Sequence, residues 1–271
     1  MIKLIAEIGI NANGDINIAK RLIDAASVAG FDYVKFQKRT PELCVPVAQR
    51  DKPKSTPWGD MTYMEYKHRM EFDVSQYEEI SVYCFSKQIG LFASVWDSSS
   101  ALDMQGLMDI VKIPSALITN IELLETCREL YDYVIMSTGM SDEDEIEKAV
   151  KHGNPDCIMH TNSSYPSRID ELNLDYITWL KKTYTARDIG YSGHEWGLTT
   201  TFAAAVMGVT WIERHITLDH EMWGSDQSSS VDPVGMIKLV RGVRAIEKAR
   251  GGYHRRAVLE SEKSKRETLR Q

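Results

Sequence analysis

Residues 211–220 read WIERHITLDH, a β-branched stretch with glutamate, arginine and histidine in succession at the end of an apolar run. Because side chains alternate across a strand, Glu213 and His215 share one face, whereas Arg214 lies on the other. The first face is polar where the core of a protein would be apolar. The stretch therefore predicts a buried strand whose inner face belongs to a site.

The same pattern of short apolar runs recurs along the chain, with amphipathic helical segments between the runs. Eight such units, several with a helix that ends in Gly just before the next strand, predict a (β/α)8 TIM barrel. An open doubly wound sheet is the alternative, but it needs a Gly-rich phosphate turn, and GINANGD (9–15) has only two glycines at the wrong spacing. The predicted strands are residues 3–10, 33–37, 91–96, 110–115, 133–138, 157–162, 188–194 and 211–217.

The composition is that of a soluble globular protein. The chain has 271 residues, 43% hydrophobic and 26% charged, and a net charge of −7 that disfavours nucleic acid as a partner. No apolar stretch reaches the ~20 residues that span a bilayer, and no signal peptide precedes the first strand, so we expect no membrane partner and a cytoplasmic location. Four dispersed cysteines without a CxxC motif predict reduced thiols: Cys44, Cys84, Cys127 and Cys157.

Two segments depart from the barrel pattern. Residues 38–73 contain four prolines and no sustained period, and a connection this long at the catalytic face of a barrel predicts a lid. A surface insertion or an oligomer contact is the alternative. We expect the barrel to occupy residues 1–252, and residues 253–271 to form a charged, solvated tail.

Polar residues fall at the predicted carboxyl ends of all eight strands, where the active sites of such barrels lie. Lys35 and Lys112 lie within apolar strands, where burying an unpaired ammonium is costly. A bound phosphate or carboxylate removes that cost, and nearby serine hydroxyls add hydrogen bonds to it. The alternative is that each lysine pairs with a carboxylate such as Glu7 or Glu213. The strand ends also carry Gln37, Ser94, Ser115, Ser137, Ser163, Tyr165 and Ser192.

A metal site is predicted where the last two strands end. His194 and His215 end consecutive strands, which are neighbours in a barrel, and paired imidazoles with a carboxylate suit a divalent ion. Glu213, two residues before His215, would ligate the ion or hold a water on it. The alternative is that each histidine is hydrogen-bonded in the core. After the last strand, GSDQSSS (224–230) would present Asp226 to a ligand or would simply be a flexible turn.

Taken together, these stretches resemble the N-terminal catalytic barrel of the sialic acid synthases, phosphoenolpyruvate-dependent enzymes that make 3-deoxy-ulosonic acids. Each stretch alone is weak, but they occur in the family's order across most of the chain. The matching stretches are IAEIGIN, VKFQ, VKIPS, STGM, TNSSYP, IGYSGH, ERHIT and GSDQSSSVDP.

The resemblance implies a role for each group of residues. Phosphoenolpyruvate would be held by Lys35, Ser94, Lys112, Ser115, Ser163 and Ser192. A divalent metal, typically Mn²⁺ with Fe²⁺, Co²⁺, Zn²⁺ or Mg²⁺ as alternatives, would be bound by His194 and His215. The acceptor side and the proton movements would belong to Glu7, Gln37, Tyr165 and Asp226. The reaction implied is attack of phosphoenolpyruvate C3 on the aldehyde of an aldose, followed by addition of water at C2 and loss of phosphate.

The chain departs from the family on the acceptor side. Leu117 stands where the family usually has an acceptor-binding glutamate, and NANG (11–14) replaces the common Asn-His-Glu-Gly. Sialic acid synthases usually continue into an antifreeze-like domain, and we expect this chain to be the barrel alone and to form a dimer or higher homo-oligomer. The sequence therefore leaves the identity of the acceptor sugar open, and it need not be N-acetylmannosamine. An acceptor that carries a phosphate, as in the octulosonate-phosphate synthases, would meet Arg39, Lys52 and Lys54 of the predicted lid. The alternative is that these three side chains are solvated on an exposed loop.

Two other functions are consistent with the sequence. One is a catalytically silent barrel that binds a sugar or phosphoenolpyruvate, but such a protein would be expected to have lost a histidine or a lysine of the site. The other is an aldolase or hydrolase that uses a metal, which does not require the two lysines.

Overall fold

A closed barrel of eight parallel strands forms the centre of the computed structural model, which describes residues 1–252 and 255–270. The predicted barrel is confirmed, and each predicted strand is present with a shorter carboxyl end or a boundary moved by one residue. The strands of the described chain are β1 (Lys3–Glu7), β2 (Tyr33–Lys38), β3 (Pro53–Thr56), β4 (Gly59–Thr62), β5 (Gly90–Val95), β6 (Ile110–Ile113), β7 (Tyr133–Ser137), β8 (Cys157–Thr161), β9 (Asp188–Gly193) and β10 (Trp211–His215).

Helices cover the outside of the barrel. Capping residues fix where the helices begin and end. At the start of the first helix, the Asp15 carboxylate accepts from the Asn17 amide at 2.7 Å, and at its end Gly30 adopts a φ of 93°. The described helices are α1 (Ile16–Ala29), α2 (Pro41–Cys44), α3 (Val47–Arg50), α4 (Tyr63–Met70), α5 (Val74–Ser86), α6 (Ser98–Met104), α7 (Ile121–Leu130), α8 (Glu143–Gly153), α9 (Tyr176–Thr183), α10 (Thr199–Met207), α11 (Pro233–Arg250) and α12 (Glu260–Leu269).

The barrel order places the site residues side by side. β1 pairs with β2 and β10, and β2 pairs with β5, so the strands follow chain order around the barrel once the β3–β4 hairpin is set aside. In the parallel register Glu7 is opposite Lys35 and His215, and Ser94 is opposite Lys112. The carboxyl ends of strands that are distant in sequence therefore meet at one rim.

β10 accounts for the unusual sequence of residues 211–215. Trp211 closes the amino-terminal end of the barrel, with its ring centroid 5.4 Å from that of Tyr33, while Glu213 and His215 lie above it and reach the rim. Arg214 points outward and is still buried, because its guanidinium lies 3.1 Å from the Glu195 carboxylate and donates to the Thr201 hydroxyl. The polar inner face is a site, and the charged outer residue is an internal ion pair.

The 38–73 segment contains regular secondary structure, although its sequence shows no sustained period. It contains α2, α3, the antiparallel hairpin β3–β4 and α4, and the Thr62 and Glu65 side chains cap the start of α4 reciprocally. Trp58 and Tyr66 of this segment pack on Trp223 in the loop after β10, with ring centroids 5.2 and 5.6 Å away. The segment therefore lies at the catalytic end of the barrel.

The remaining parts add little to the site. In the predicted tail, α12 is a fully exposed helix, and residues 253, 254 and 271 lie outside the described part of the chain. The four cysteines are free thiols. Among the described residues, no helix has the length and apolarity needed to span a membrane.

Candidate active site

A cavity of about 290 Å³ opens at the carboxyl end of the barrel strands. It collects all the predicted site residues except Asp226, although they come from all eight barrel strands and the loops that follow them. The lining residues are Glu7, Lys35, Gln37, Ser94, Trp96, Lys112, Pro114, Ser115, Ala116, Ser137, Met140, Thr161, Ser163, Tyr165, Ser192, His194, Glu213 and His215.

Two buried lysines and two buried carboxylates form the floor of this cavity. Lys35 Nζ lies 2.8 Å from Glu7 Oε2, and donates to Ser94 Oγ at 2.6 Å. Lys112 Nζ donates to Glu213 Oε1 at 2.8 Å, and the same oxygen lies 3.6 Å from Lys35 Nζ. All four charged side chains are at most 4% exposed. Each ammonium is therefore neutralised within the barrel.

This network corrects one part of the sequence argument. The cost of burying Lys35 and Lys112 was expected to be met by a bound anion, with carboxylate partners as the alternative, and the structure shows the alternative: Glu7 and Glu213 balance both charges. An anion site must therefore rest on the donors that remain. An ammonium carries three N–H donors, and Lys112 uses one of them on Glu213.

The charged groups on the floor shift one another's pKa values. Burial opposes ionisation of Glu213, but Lys112 and Lys35 outweigh it and hold the pKa of this carboxyl at about 2. Burial also opposes the charge of Lys35, but Glu213 and Glu7 raise the pKa of its ammonium above the ordinary value. For Lys112 burial dominates and lowers the pKa. Lys112 is therefore the ammonium with the weaker support.

Serine hydroxyls converge on Gly139 at one wall. The Gly139 amide donates to Ser115 Oγ at 3.0 Å, and a Cβ added to Gly139 would lie 2.1 Å from Ser163 Oγ. The glycine thus leaves room for two hydroxyls that a side chain would displace. Ser137 Oγ is buried without a hydrogen-bond partner among the described residues, and Ser192 Oγ donates to Glu213 at 3.3 Å.

The two predicted metal histidines face each other at the mouth. Their ring centroids are 5.3 Å apart, and the Tyr165 ring packs on His194 at 4.1 Å. His194 Nδ1 lies 2.6 Å from the Asn162 carbonyl oxygen, so it donates there and leaves the lone pair on Nε2. Burial lowers the pKa of His194 to about 3, which keeps its ring neutral. His215 Nδ1 is buried without a hydrogen-bond partner in the described chain.

These features fit a divalent ion held by two imidazole nitrogens. A neutral ring with a free lone pair and a second ring with an unsatisfied nitrogen are what such an ion requires. The described residues contain no cluster of three or more His, Cys, Asp or Glu side chains that could hold a metal. An ion held between the two rings would therefore take its remaining ligands from water or substrate.

Asp226 lies beside His215 and is not among the residues that line the cavity. Its Oδ2 is 3.7 Å from His215 Nδ1, and its Oδ1 accepts from the Ser225 hydroxyl at 2.6 Å. The backbone carbonyl of Asp226 accepts from Ser230 Oγ, which in turn accepts from Asn11 Nδ2 at 2.8 Å. The loop after β10 is thus tied to the loop after β1.

Comparison with known proteins identifies the family. The NeuB family model matches residues 22–255 of this chain. The chain belongs to the NeuB family.

Individual NeuB-family relatives cover most of the chain. The N,N'-diacetyllegionaminic acid synthase of Campylobacter jejuni is 33% identical over 272 residues, 96% of this chain and 81% of that protein. The N-acetylneuraminate-9-phosphate synthase of Homo sapiens is 36% identical over 257 residues, 92% of this chain and 71% of that protein. The crystal structure of the N-acetylneuraminic acid synthetase of Leptospira borgpetersenii in complex with citrate superposes with a TM-score of 0.85 at 30% identity, covering 99% of this chain and 92% of that one.

Three basic residues of the 38–73 segment differ from one another in this NeuB-family barrel. Arg39 is buried against Glu71, with Nε 2.9 Å from the carboxylate, and donates to Gln37. Contrary to the expectation, it is therefore not free to bind a ligand. Gln37 in turn donates to Glu7 at 2.9 Å, which makes Arg39 a support for Glu7. Lys52 is exposed, whereas Lys54 lines a second cavity at the rim.

Sequence reasoning left the role of Glu213 open and did not single out Lys67. Glu213 was expected beside the metal or, as the alternative, paired with a lysine; the structure shows the pairing, with Oε1 shared by both lysines and Oε2 without a hydrogen bond in the described chain. Its place on the His215 face was the available signal. Lys67, on α4, also faces the rim, and nothing in its local sequence distinguishes it from a solvated helical lysine.

Proposed function

We propose that this NeuB-family barrel condenses phosphoenolpyruvate with an open-chain aldose to give a 3-deoxy-2-ulosonic acid and phosphate. One observation carries the proposal: a single cavity combines two buried lysines, a wall of serine hydroxyls and a facing pair of histidines. The first two suit a small anion, and the pair suits a divalent ion beside a carbonyl group. The names of the relatives, which are synthases of ulosonic acids, support it.

The phosphoenolpyruvate would lie over the floor and against the serine wall. The unused donors of Lys112 and the hydroxyls around Gly139 would bind its phosphate and carboxylate, since charge-assisted hydrogen bonds are the strong ones. Glu213, whose Oε1 contacts both ammonium groups, orients them toward the cavity. The binding set proposed is Lys35, Ser94, Lys112, Ser115, Ser163 and Ser192.

His194 and His215 would hold the divalent ion, with Mn²⁺ as the first choice. When bound, such an ion supplies a Lewis acid that polarises the aldehyde of the acceptor. The chain's own part is to fix the two rings: the Asn162 carbonyl oxygen sets the tautomer of His194, and Asp226 lies beside His215.

The remaining steps use the carboxylates. Phosphoenolpyruvate C3 forms a bond to the aldehyde carbon, and the aldehyde oxygen takes up a proton while positive charge develops at C2. Water adds at C2 and loses one proton, which matches the proton that the aldehyde oxygen takes up. The C2–O bond to phosphate then breaks while the new C2 hydroxyl gives its proton to the departing phosphate, leaving the keto acid. Glu7, fixed by Gln37 and Lys35, would stabilise the charge at C2, and Asp226 would accept the proton of the attacking water. Tyr165 covers the histidines from the solvent side.

The experiment is to incubate the purified chain with Mn²⁺, phosphoenolpyruvate and a panel of aldoses and aldose phosphates, and to measure phosphate release. Because the relatives are named for both phosphorylated and unphosphorylated products, the panel must contain both forms of each sugar. We expect release that requires phosphoenolpyruvate and one class of sugar. Binding of phosphoenolpyruvate without release for any sugar would overturn the proposal in favour of a silent barrel.

A further inference from the structure

A buried ion pair lies on the outer face of the two strand ends that carry the histidines. Glu195 directly follows His194, and Arg214 directly precedes His215. Arg214 Nη1 lies 3.1 Å from Glu195 Oε1, and the two residues are 2% and 0% exposed. Because side chains alternate along an extended chain, a residue next to an inward-facing histidine faces outward. One ion pair therefore joins the chain immediately beside both histidines.

The Arg214 guanidinium binds the loop after β9 and the start of α10 at several points. Nη1 donates to the Gly197 carbonyl at 2.8 Å and to the Thr201 hydroxyl at 2.7 Å, and Nη2 donates to the backbone carbonyl of Glu195. Two of these acceptors are main-chain oxygens within three residues of His194. Because a guanidinium presents its donors in a fixed plane, it fixes this backbone relative to β10, which the single ammonium of a lysine could not do in the same way.

Both oxygens of the Glu195 carboxylate have partners. Oε2 accepts from the Tyr191 hydroxyl at 2.9 Å, and Oε1 accepts from the Thr200 hydroxyl at 2.6 Å as well as from Arg214. A Cβ at Gly193 would lie 2.6 Å from Oε2, so a glycine leaves the room that the carboxylate needs there. The carboxylate is therefore anchored to β9 and to α10, and the ion pair has one defined place beside the histidines.

Stability alone is a weak reason for such a pair. Desolvation of two buried charges offsets most of their attraction, so a buried ion pair adds little net stability compared with apolar side chains of similar size. What the pair supplies is geometry. The two imidazoles must keep one separation to bind a single ion, and their ring centroids are 5.3 Å apart. Because His215 Nδ1 has no hydrogen-bond partner in the described chain, the placement of that ring depends on the strand that carries it.

We propose that Arg214 and Glu195 are positioning residues for the histidine pair. Their ion pair holds the ends of β9 and β10 at the separation at which His194 and His215 bind one divalent ion. The proposal rests on the proposed function, because that function gives the ion its task. It follows that loss of the pair weakens metal binding even in a variant that is fully folded.

The test measures the Kd for Mn²⁺ of the full chain without substrates, by electron paramagnetic resonance of the free ion. Arg214→Lys keeps the charge and loses the planar geometry, whereas Glu195→Gln keeps the size of the side chain and loses the charge. Changes to residues that orient metal ligands commonly cost ten- to a hundredfold in affinity, so we expect each variant to raise the Kd about tenfold. The double variant Arg214→Met/Glu195→Leu leaves no unpaired charge, so it should fold even where a single variant does not, and its Kd should rise by a similar factor.

Arg244→Met is the matched control. Arg244 forms ion pairs with Asp32 and Glu247, at 2.7 and 3.0 Å, and donates to the Ile2 carbonyl just before β1, at the opposite end of the barrel from the cavity. The control should lower the free energy of unfolding in urea and leave the Kd for Mn²⁺ unchanged. An unchanged Kd in the folded variants of the pair, or an equal increase in Arg244→Met, would show that the pair is only structural and would overturn the proposal.

Because the metal measurement needs no substrate, it separates this proposal from the proposed function. If no aldose releases phosphate but the parent binds Mn²⁺ and the variants of the pair bind it more weakly, the positioning role is supported and the condensation is not. If phosphate is released but the Kd does not depend on the pair, the condensation stands and the positioning role is overturned. A parent that does not bind Mn²⁺ would also overturn the positioning role.

Discussion

Replacing Glu213 with Gln tests the charge balance on the floor of the barrel. The variant keeps the size of the side chain and removes the charge that Lys35 and Lys112 share. Lys35 retains the Glu7 carboxylate at 2.8 Å and the Ser94 hydroxyl, but Lys112 loses its only salt bridge in the described chain. The damage should therefore fall mainly on Lys112.

The expected loss follows from the burial of the pair. Glu213 and Lys112 are 3% and 4% exposed, and removing one partner of a buried ion pair costs ~3–5 kcal/mol of the free energy of unfolding. We expect a value near the lower end, since the lowered pKa of Lys112 allows it to shed its proton. The double variant Glu213→Gln/Lys112→Met should recover part of the loss, because it removes the unpaired charge.

The assay is urea unfolding at pH 7, followed by tryptophan fluorescence and circular dichroism. Glu79→Gln is the control: it breaks the exposed Lys20–Glu79 pair, whose N–O distance is 2.5 Å, and should cost ~0–1 kcal/mol. Phosphoenolpyruvate should stabilise Glu213→Gln more than the parent, because an anion replaces the missing charge. A loss below ~1 kcal/mol for Glu213→Gln, or no recovery in the double variant, would refute the charge balance.

Two further predictions concern the site. His215→Ala should abolish turnover and lower the metal content measured after gel filtration. The control His152→Ala, on the surface beside Glu125, should change neither. Full activity of chelator-treated His215→Ala would contradict the metal site. Gly139→Ala should raise the KM for phosphoenolpyruvate about tenfold, because its Cβ would displace the Ser115 and Ser163 hydroxyls. Circular dichroism should show that the fold is retained. An unchanged KM would remove the serine wall from the binding site.

The barrel could be predicted because its signals are local. Each strand is a short apolar run between helices with clear starts and stops, such as Asp15 before α1 and Gly30 after it. The structure of the 38–73 segment could not be predicted in the same way. Its hairpin has no apolar alternation, and it is held by contacts between distant parts of the chain, such as that of Trp58 with Trp223.

The site was predictable as a set of residues but not as a set of contacts. Alternation placed Glu213 and His215 on one face, and the barrel brought Lys35 and Lys112 to the same cavity. Which carboxylate balances which lysine depends on a contact between residues 101 positions apart, Lys112 and Glu213. Sequence spacing carries no information on such a pair, and the same holds for Lys67, whose surroundings come from three separate segments.

The central claim is that phosphoenolpyruvate and an aldose react in one cavity with cleavage of the C2–O bond. It is tested most directly with phosphoenolpyruvate that carries ¹⁸O in the bridge between C2 and phosphorus, with mass spectrometry of both products. The account predicts that the released phosphate retains the label and that an ulosonic acid without it appears in equal amount. Labelled oxygen in the organic product, or phosphate release that does not need the aldose, would contradict the account.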